Sequence, residues 1–202
     1  MLLRPGPLVA DYLAGRRKRH FSPFQFLLLL LGLATLLSKQ LHYYDAVGAY
    51  VQGLMRARHI PPLNLARVVT YFHGLGTYFN GWWLALLPLH ALVTWAVYRR
   101  SRARLNFAES MLVQVVVGCA YQLWLLPALP TVLGLMGRFL GASTGYVQGT
   151  VAAVYFLLVG QRGLGLSWGG ATWRAVLTSV LAGAINFGVN SAVFGWFVFG
   201  RH

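Results

Sequence analysis

Apolar positions along the chain gather into about five runs, each the length of a helix rather than of a strand. The first, Phe24–Leu37, is shorter than the about 20 residues a bilayer needs, so it must borrow Phe21–Pro23 and Ser38–Leu41. The second, Gly81–Tyr98, is bounded by Trp82 and Trp83 at one end and by Tyr98 at the other, as aromatic belts bound a span. The third, Phe107–Leu126, meets Pro127 and Pro130, which predict its end. The fourth covers Ser143–Leu158 and the fifth Ala175–Phe199, with a glycine-rich loop between them. The pattern predicts an all-α fold: a polytopic membrane helical bundle with about five transmembrane spans.

The segments between these runs are amphipathic. In residues 5–15, Leu8, Val9, Tyr12 and Leu13 make an apolar face, Pro5 and Pro7 suit a first turn, and Gly15 can end the helix. This reads as an N-terminal interfacial helix. Arg16, Arg17, Lys18 and Arg19 follow it as an anchor on anionic lipid headgroups, so that 1–20 form one unit. In 42–80, Val47, Tyr50, Val51 and Leu54 share a helical face until Pro61-Pro62 breaks it. Beyond the break Leu65, Val68, Phe72, Leu75 and Phe79 form a second stripe. That predicts an outer amphipathic hairpin lying in the interface. The whole of 1–202 reads as a single integral membrane domain.

Composition and charge sharpen this. The chain is 57% hydrophobic and only 10% charged, yet carries a formal net charge of +14. Soluble domains hold about 25% charged residues. The basic residues sit in clusters between apolar runs instead of interleaving with a soluble fold, which excludes nucleic acid as a partner. With the N-terminus inside, Arg4, Arg16, Arg17, Lys18, Arg19, Arg99, Arg100, Arg102, Arg104, Arg162 and Arg174 fall on the inner side, the majority of the 17 basic residues. The positive-inside rule therefore predicts an N-inside, C-outside protein. No small-x-small cleavage site follows the first run, where Ser38-Lys39-Gln40 stands, so the run reads as a retained anchor.

Chemistry is sparse. The three acidic residues are Asp11, Asp45 and Glu109, and the first two fall on opposite sides in this topology. Glu109 opens the third span and is followed by Ser110, Gln114, Gly118 and Gln122 at helical spacing. The fifth span carries a matching stripe of Ser179, Gly183, Asn186 and Asn190. Facing each other, the two stripes either line a polar interior or glue helices together. Glu109 either serves that interior or caps its helix while pairing with Arg102 or Arg104. Gly141, Gly145 and Gly149 form a small-residue run that Gly188, between Ala184 and Ala192, answers on the fifth span. It predicts close packing of the fourth span on the fifth, or a homodimer seam. His59 and His73 are placed to meet across the hairpin, but the histidines show neither an i, i+4 pair nor a zinc-protease spacing, and no metal is predicted. Cys119 reads as a small packed hydrophobe. No acid–base pair, nucleophile set or cofactor motif can be assembled, so a non-enzymatic protein is expected.

Two stretches carry a resemblance. Arg4-Pro5-Gly6, the run Asp11–Arg17 and Pro23-Phe24 resemble a bacterial inner-membrane family of unknown function, and Leu86–Gln114 is similar to that family's second span, basic turn and third-span start. Longer members begin with a zinc ribbon, which this sequence lacks. Members carry histidines where Ser110 and Gln114 stand here, so no histidine-based role passes to this chain. The resemblance implies a multi-pass protein of the bacterial inner (cytoplasmic) membrane. The residues favour a non-enzymatic protein that binds lipids, a homodimer mate or a membrane-protein partner. The alternative is a transporter of a small solute or lipid through the two polar stripes.

Overall fold

The computed structural model describes residues 4–16, 22–101, 104–134 and 142–200, with the side chains at 79–80, 125, 127–134 and 142–148 outside that description. The described residues form helices and no strand. Helix α1 spans Pro5–Leu13, α2 Pro23–Gln40, α3 Tyr43–Arg56, α4 Pro62–Tyr98, α5 Phe107–Gly134, α6 Ala142–Leu158 and α7 Trp168–Phe199. A π-helical turn, Val159–Gly163, continues α6. Three stretches, Pro23–Gln40, Gly81–Tyr98 and Trp168–Phe199, are long and apolar enough to cross a membrane.

Helix ends follow the local sequence. Pro5 sits in the first turn of α1, and Gly15 takes a positive φ of 77° just beyond its end. There the Arg16 N–H donates to the Asp11 carbonyl and the Gly15 N–H to that of Tyr12, the paired bonds of a Schellman stop. The Ser167 hydroxyl accepts from the Gly170 N–H and caps α7. That cap starts the helix seven residues before the expected fifth span and leaves a short connection where a glycine-rich loop was predicted.

Two further expectations are corrected. The amphipathic stripe 62–79 and the second span are one helix, α4, because no breaker separates them: Gly74, Gly76 and Gly81 weaken a helix without stopping it. Its 37 residues make it ~55 Å long at 1.5 Å per residue, so the 62–80 half continues directly into the apolar stretch Gly81–Tyr98. Helix α5 also runs through Pro127 and Pro130 to Gly134. Spanning helices tolerate such prolines where neighbours satisfy the freed carbonyls.

The long helices α4 and α7 run antiparallel. At one end Tyr98 and Ala175 share a cluster with Leu105, Val113, Phe156 and Val159. At the other, Tyr71 packs edge-on against Phe194 at 5.2 Å between ring centroids. Arg67 Nη1 donates to the carbonyls of Gly200 (2.9 Å) and Val198 (3.4 Å), covering the bare C-terminus of α7. Helix α3 folds back on α4, with Gly48 against Phe72 and Gly76 against Tyr44. Leu27, Leu30 and Leu31 of α2 pack on Leu87, Val115 and Cys119. The Cys119 thiol donates to the Pro23 carbonyl at 3.4 Å. Twelve residues separate Phe107 from Cys119, so α2 begins about 18 Å along α5.

Part of the apolar face of α1 packs into the protein. Leu8 and Val9 are buried in the cluster that holds Tyr98 and Phe156. Gly6 lies so close to the π turn that a Cβ there would stand 2.5 Å from Arg162 Cβ and 2.8 Å from the Leu158 carbonyl oxygen.

Candidate functional site

The two polar stripes singled out in the sequence fall on α5 and α7, and α4 lies between them. Gln114 on α5 is buried and points into α4, where Nε2 donates to the Thr94 hydroxyl at 2.7 Å and to the His90 carbonyl at 3.1 Å. The Thr94 hydroxyl itself donates to the His90 carbonyl at 3.2 Å. On the far side of α4, Asn186 of α7 approaches the His90 side chain, whose Nε2 is buried without a hydrogen-bond partner among the described residues. Asn190 turns back to its own helix, its Nδ2 donating to the Asn186 carbonyl at 2.7 Å. The stripes of α5 and α7 therefore do not face each other as expected. His90 and Thr94, which the sequence reading left unused, stand between them.

Glu109 and Ser110 are occupied at the start of α5. The Asn106 N–H donates to Glu109 Oε2 at 2.8 Å, and the Glu109 N–H donates to Asn106 Oδ1 at 2.9 Å. This reciprocal pair is a capping box with Asn in the cap position. Among the described residues no ion pair joins Glu109 to Arg104, and Arg102, the other expected partner, lies outside them. The Ser110 hydroxyl donates to the Asn106 carbonyl at 2.8 Å. Gln122 differs: it is fully buried, and neither atom of its carboxamide finds a partner among the described residues.

Half of the small-residue run falls outside what is described: Gly141 lies outside the described residues, and Gly145 falls on α6 in the stretch whose surroundings are outside them. A Cβ on Gly149 or on Gly188 would meet nothing within 4 Å among the described residues. The short connection after the π turn brings α7 back at its first turns, and a close approach falls there: a Cβ on Gly160 would stand 3.1 Å from Ala171 Cβ. Of the basic anchor, Arg16 is exposed and 3.8 Å from Asp11, while Arg17, Lys18 and Arg19 lie outside the described residues.

The end of the bundle that carries α1 is nevertheless strongly basic. Arg4, Arg16, Arg99, Arg100, Arg104 and Arg162 are exposed there. Arg99 lies 5.1 Å over the Trp95 ring, and Arg174 lies 4.4 Å over Trp173. The Tyr98 hydroxyl is buried without a partner among the described residues.

At the hairpin, Asp45 is held between two imidazoles, with His73 Nδ1 at 2.9 Å and His42 Nδ1 at 3.3 Å. The bond to His73 foremost holds the Asp45 carboxyl below its ordinary value; desolvation opposes it, and the bond to His42 adds a lesser downward pull. His59 takes no part, so the expected His59–His73 meeting becomes His42–Asp45–His73. Among the described residues no three His, Cys, Asp or Glu side chains converge as a metal site requires. A signal was present in retrospect: His42 and Asp45 are three apart at a helix start, as a capping pair would be.

Residues 1–35 match a family model described as a protein of unknown function (DUF3667). The match covers α1 and most of α2. No curated protein and no solved structure matches the chain.

Proposed function

We propose that this is a non-enzymatic integral membrane protein that acts by binding lipids or a membrane partner through its surfaces. In this reading it crosses the bacterial inner membrane about five times. Its N-terminus and basic end lie inside, and its C-terminus and the α3–α4 hairpin lie outside. The observation that carries it is the placement of α4. Gln114 Nε2 and the Thr94 hydroxyl bond to each other and to the His90 carbonyl, as polar residues do when they join helices. What remains for an outside partner is the arginine-rich end and the apolar exterior, where Phe187 of α7 is 76% exposed.

Lipid retained through purification tests this. Arg16, Arg17, Lys18 and Arg19 changed together to Gln should lower the anionic share of lipid that co-purifies with the full chain. A co-purifying lipid pool identical to the bulk membrane, in both forms, would sink the headgroup reading.

Transport of a small solute or lipid keeps one observation in its favour, the unpartnered carboxamide of Gln122. A polar passage would wet that position. In a Cys119→Ala background, Gln122→Cys should then react with a small charged thiol reagent; a packed position should stay inert.

A further inference from the structure

Asp45 is the one carboxylate between Asp11 and Glu109 in the sequence, and two imidazoles meet it from different elements. His73 Nδ1 of α4 stands 2.9 Å from Oδ1, and His42 Nδ1, at the junction of α2 and α3, stands 3.3 Å from Oδ2. No further charged group acts on the carboxylate among the described residues, from α2, α4 or any other helix. The side chains of His73 and Asp45 are 73% and 42% exposed, and that of His42 80%, so protons reach all three directly.

Helix α3 is held lightly. Of its 14 residues, Tyr43 and Gly48 are the buried ones. It lies on α4 through Gly48 against Phe72 and Tyr44 against Gly76. A side-chain bond joins the two helices near each end of α3: Asp45 with His73, and Gln52 Nε2 donating to the Leu65 carbonyl at 3.3 Å. A segment with so few buried contacts opens locally at a cost far below that of global unfolding. A modest change in one bond therefore moves its closed population several-fold.

The bond at His73 is the one that can change. A neutral imidazole donates through one nitrogen, whereas an imidazolium donates from both and adds its charge. Imidazoles ordinarily gain that proton near pH 6.5, to which small differences in pH outside a cell reach. The Asp45 carboxyl, held below its ordinary value, stays ionised through that range and is lost as a partner only at far lower pH.

We infer that His42, Asp45 and His73 form a proton-operated clasp that tightens α3 onto α4 in mild acid. His73 supplies the bond between the helices, and His42 adds its charge from the start of α3. The hairpin is firmest between about pH 4 and about pH 6, where imidazolium and carboxylate coexist. The proposed topology decides only that the clasp reads the pH of the outer side; the clasp stands or falls without it.

Amide hydrogen exchange of the full chain in neutral detergent tests this. Peptides from α3 and from α7 are read by mass spectrometry at about pH 5.5 and about pH 7.5, either side of the imidazole range. Each rate is divided by that of the unfolded chain at the same pH. In wild type the protection of α3 should rise about threefold from the higher pH to the lower, the scale of one exposed ion pair. Protection of α7 should stay level. Asp45→Asn and His73→Gln should each abolish the rise, with α7 protection intact as the sign that the bundle is folded. His59→Gln, which alters an imidazole outside the cluster, should keep it. Equal α3 protection at the two pH values in wild type would overturn the clasp, and so would a rise that survives Asp45→Asn. A rise that survives His73→Gln but vanishes in His42→Gln would overturn it too, because the sensor would then be the start of α3 and not its link to α4.

Discussion

Gln114 and Thr94 are hydrogen-bonded at 2.7 Å between α5 and α4, at positions where neither is open to solvent. Interhelical bonds of this kind average about 0.6 kcal/mol and reach about 1.7 kcal/mol, because the unfolded chain in a membrane also finds partners. Gln114 makes two of them, so Gln114→Leu should cost about 1 kcal/mol. A double-mutant cycle with Thr94→Val, followed by unfolding in detergent, should give a coupling energy of about 0.5–1 kcal/mol. Additive effects would mean that the two helices are not joined through this pair.

The capping box at α5 makes a different forecast for Glu109. Gln can replace Glu in such a box, since it also accepts from the cap residue's N–H. Glu109→Gln should therefore leave stability nearly unchanged. Asn106→Ala removes the cap itself and should cost about 1 kcal/mol. A large loss from Glu109→Gln with a small one from Asn106→Ala would show that the carboxylate's charge does something other than cap the helix.

Glycine substitutions should divide sharply by place. At Gly6 a new methyl would meet Arg162 Cβ and the Leu158 carbonyl. Gly6→Ala must push α1 off the π turn, at about 1–3 kcal/mol. Limited proteolysis should then cut on the C-terminal side of α1 faster than in wild type. At Gly188 the methyl meets nothing, and alanine is the better helix former. Gly188→Ala should be neutral or slightly stabilising. A marked loss there would reveal a neighbour that the single chain does not supply, as a homodimer seam would.

Asp45 gives a pH dependence whose sign is fixed. Its folded carboxyl is held below the ordinary value, chiefly by His73. The stabilisation it contributes is present above the unfolded pKa, about 3.9, and is lost as pH falls through the lower folded value. Because the group is exposed, the effect is small. Asp45→Asn should flatten this acid-side loss of α3–α4 stability, measured as the unfolding midpoint between about pH 5 and pH 2. An unchanged acid profile would separate Asp45 from hairpin stability.

Much of the helical plan could be read from local pattern. The bounds of α2 and α6, the stop at Gly15 and the start of α5 each follow from caps, prolines and runs of leucine or valine within a few residues. What could not be read depends on distant partners or on helix continuity. Nothing local distinguishes a helix that bends into the interface near Asn80-Gly81 from one that passes straight through. The packing of α3 and α7 on the 62–80 half of α4 favours the continuous helix, through Gly76 against Tyr44 and Tyr71 against Phe194. In the same way, Gln114 and Asn186 show two polar stripes in the sequence, but only the bundle's order shows that His90 and Thr94 stand between them. The Arg67 contacts to the end of α7 join residues more than a hundred positions apart, and no spacing rule reaches that far.

The most direct test of the account concerns its two ends. The basic end and the α3–α4 hairpin should lie on opposite sides of the membrane. Ser101 is buried, its hydroxyl donating to the Tyr98 carbonyl at 2.6 Å, so the exposed Arg100 and His59 are the better reporters. Single cysteines at Arg100→Cys and His59→Cys, in a Cys119→Ala background, should be labelled in intact cells by an impermeant reagent at His59→Cys only. Arg100→Cys should react once the cells are opened. Labelling of both from the outside, or of neither until the cells are opened, would contradict the account.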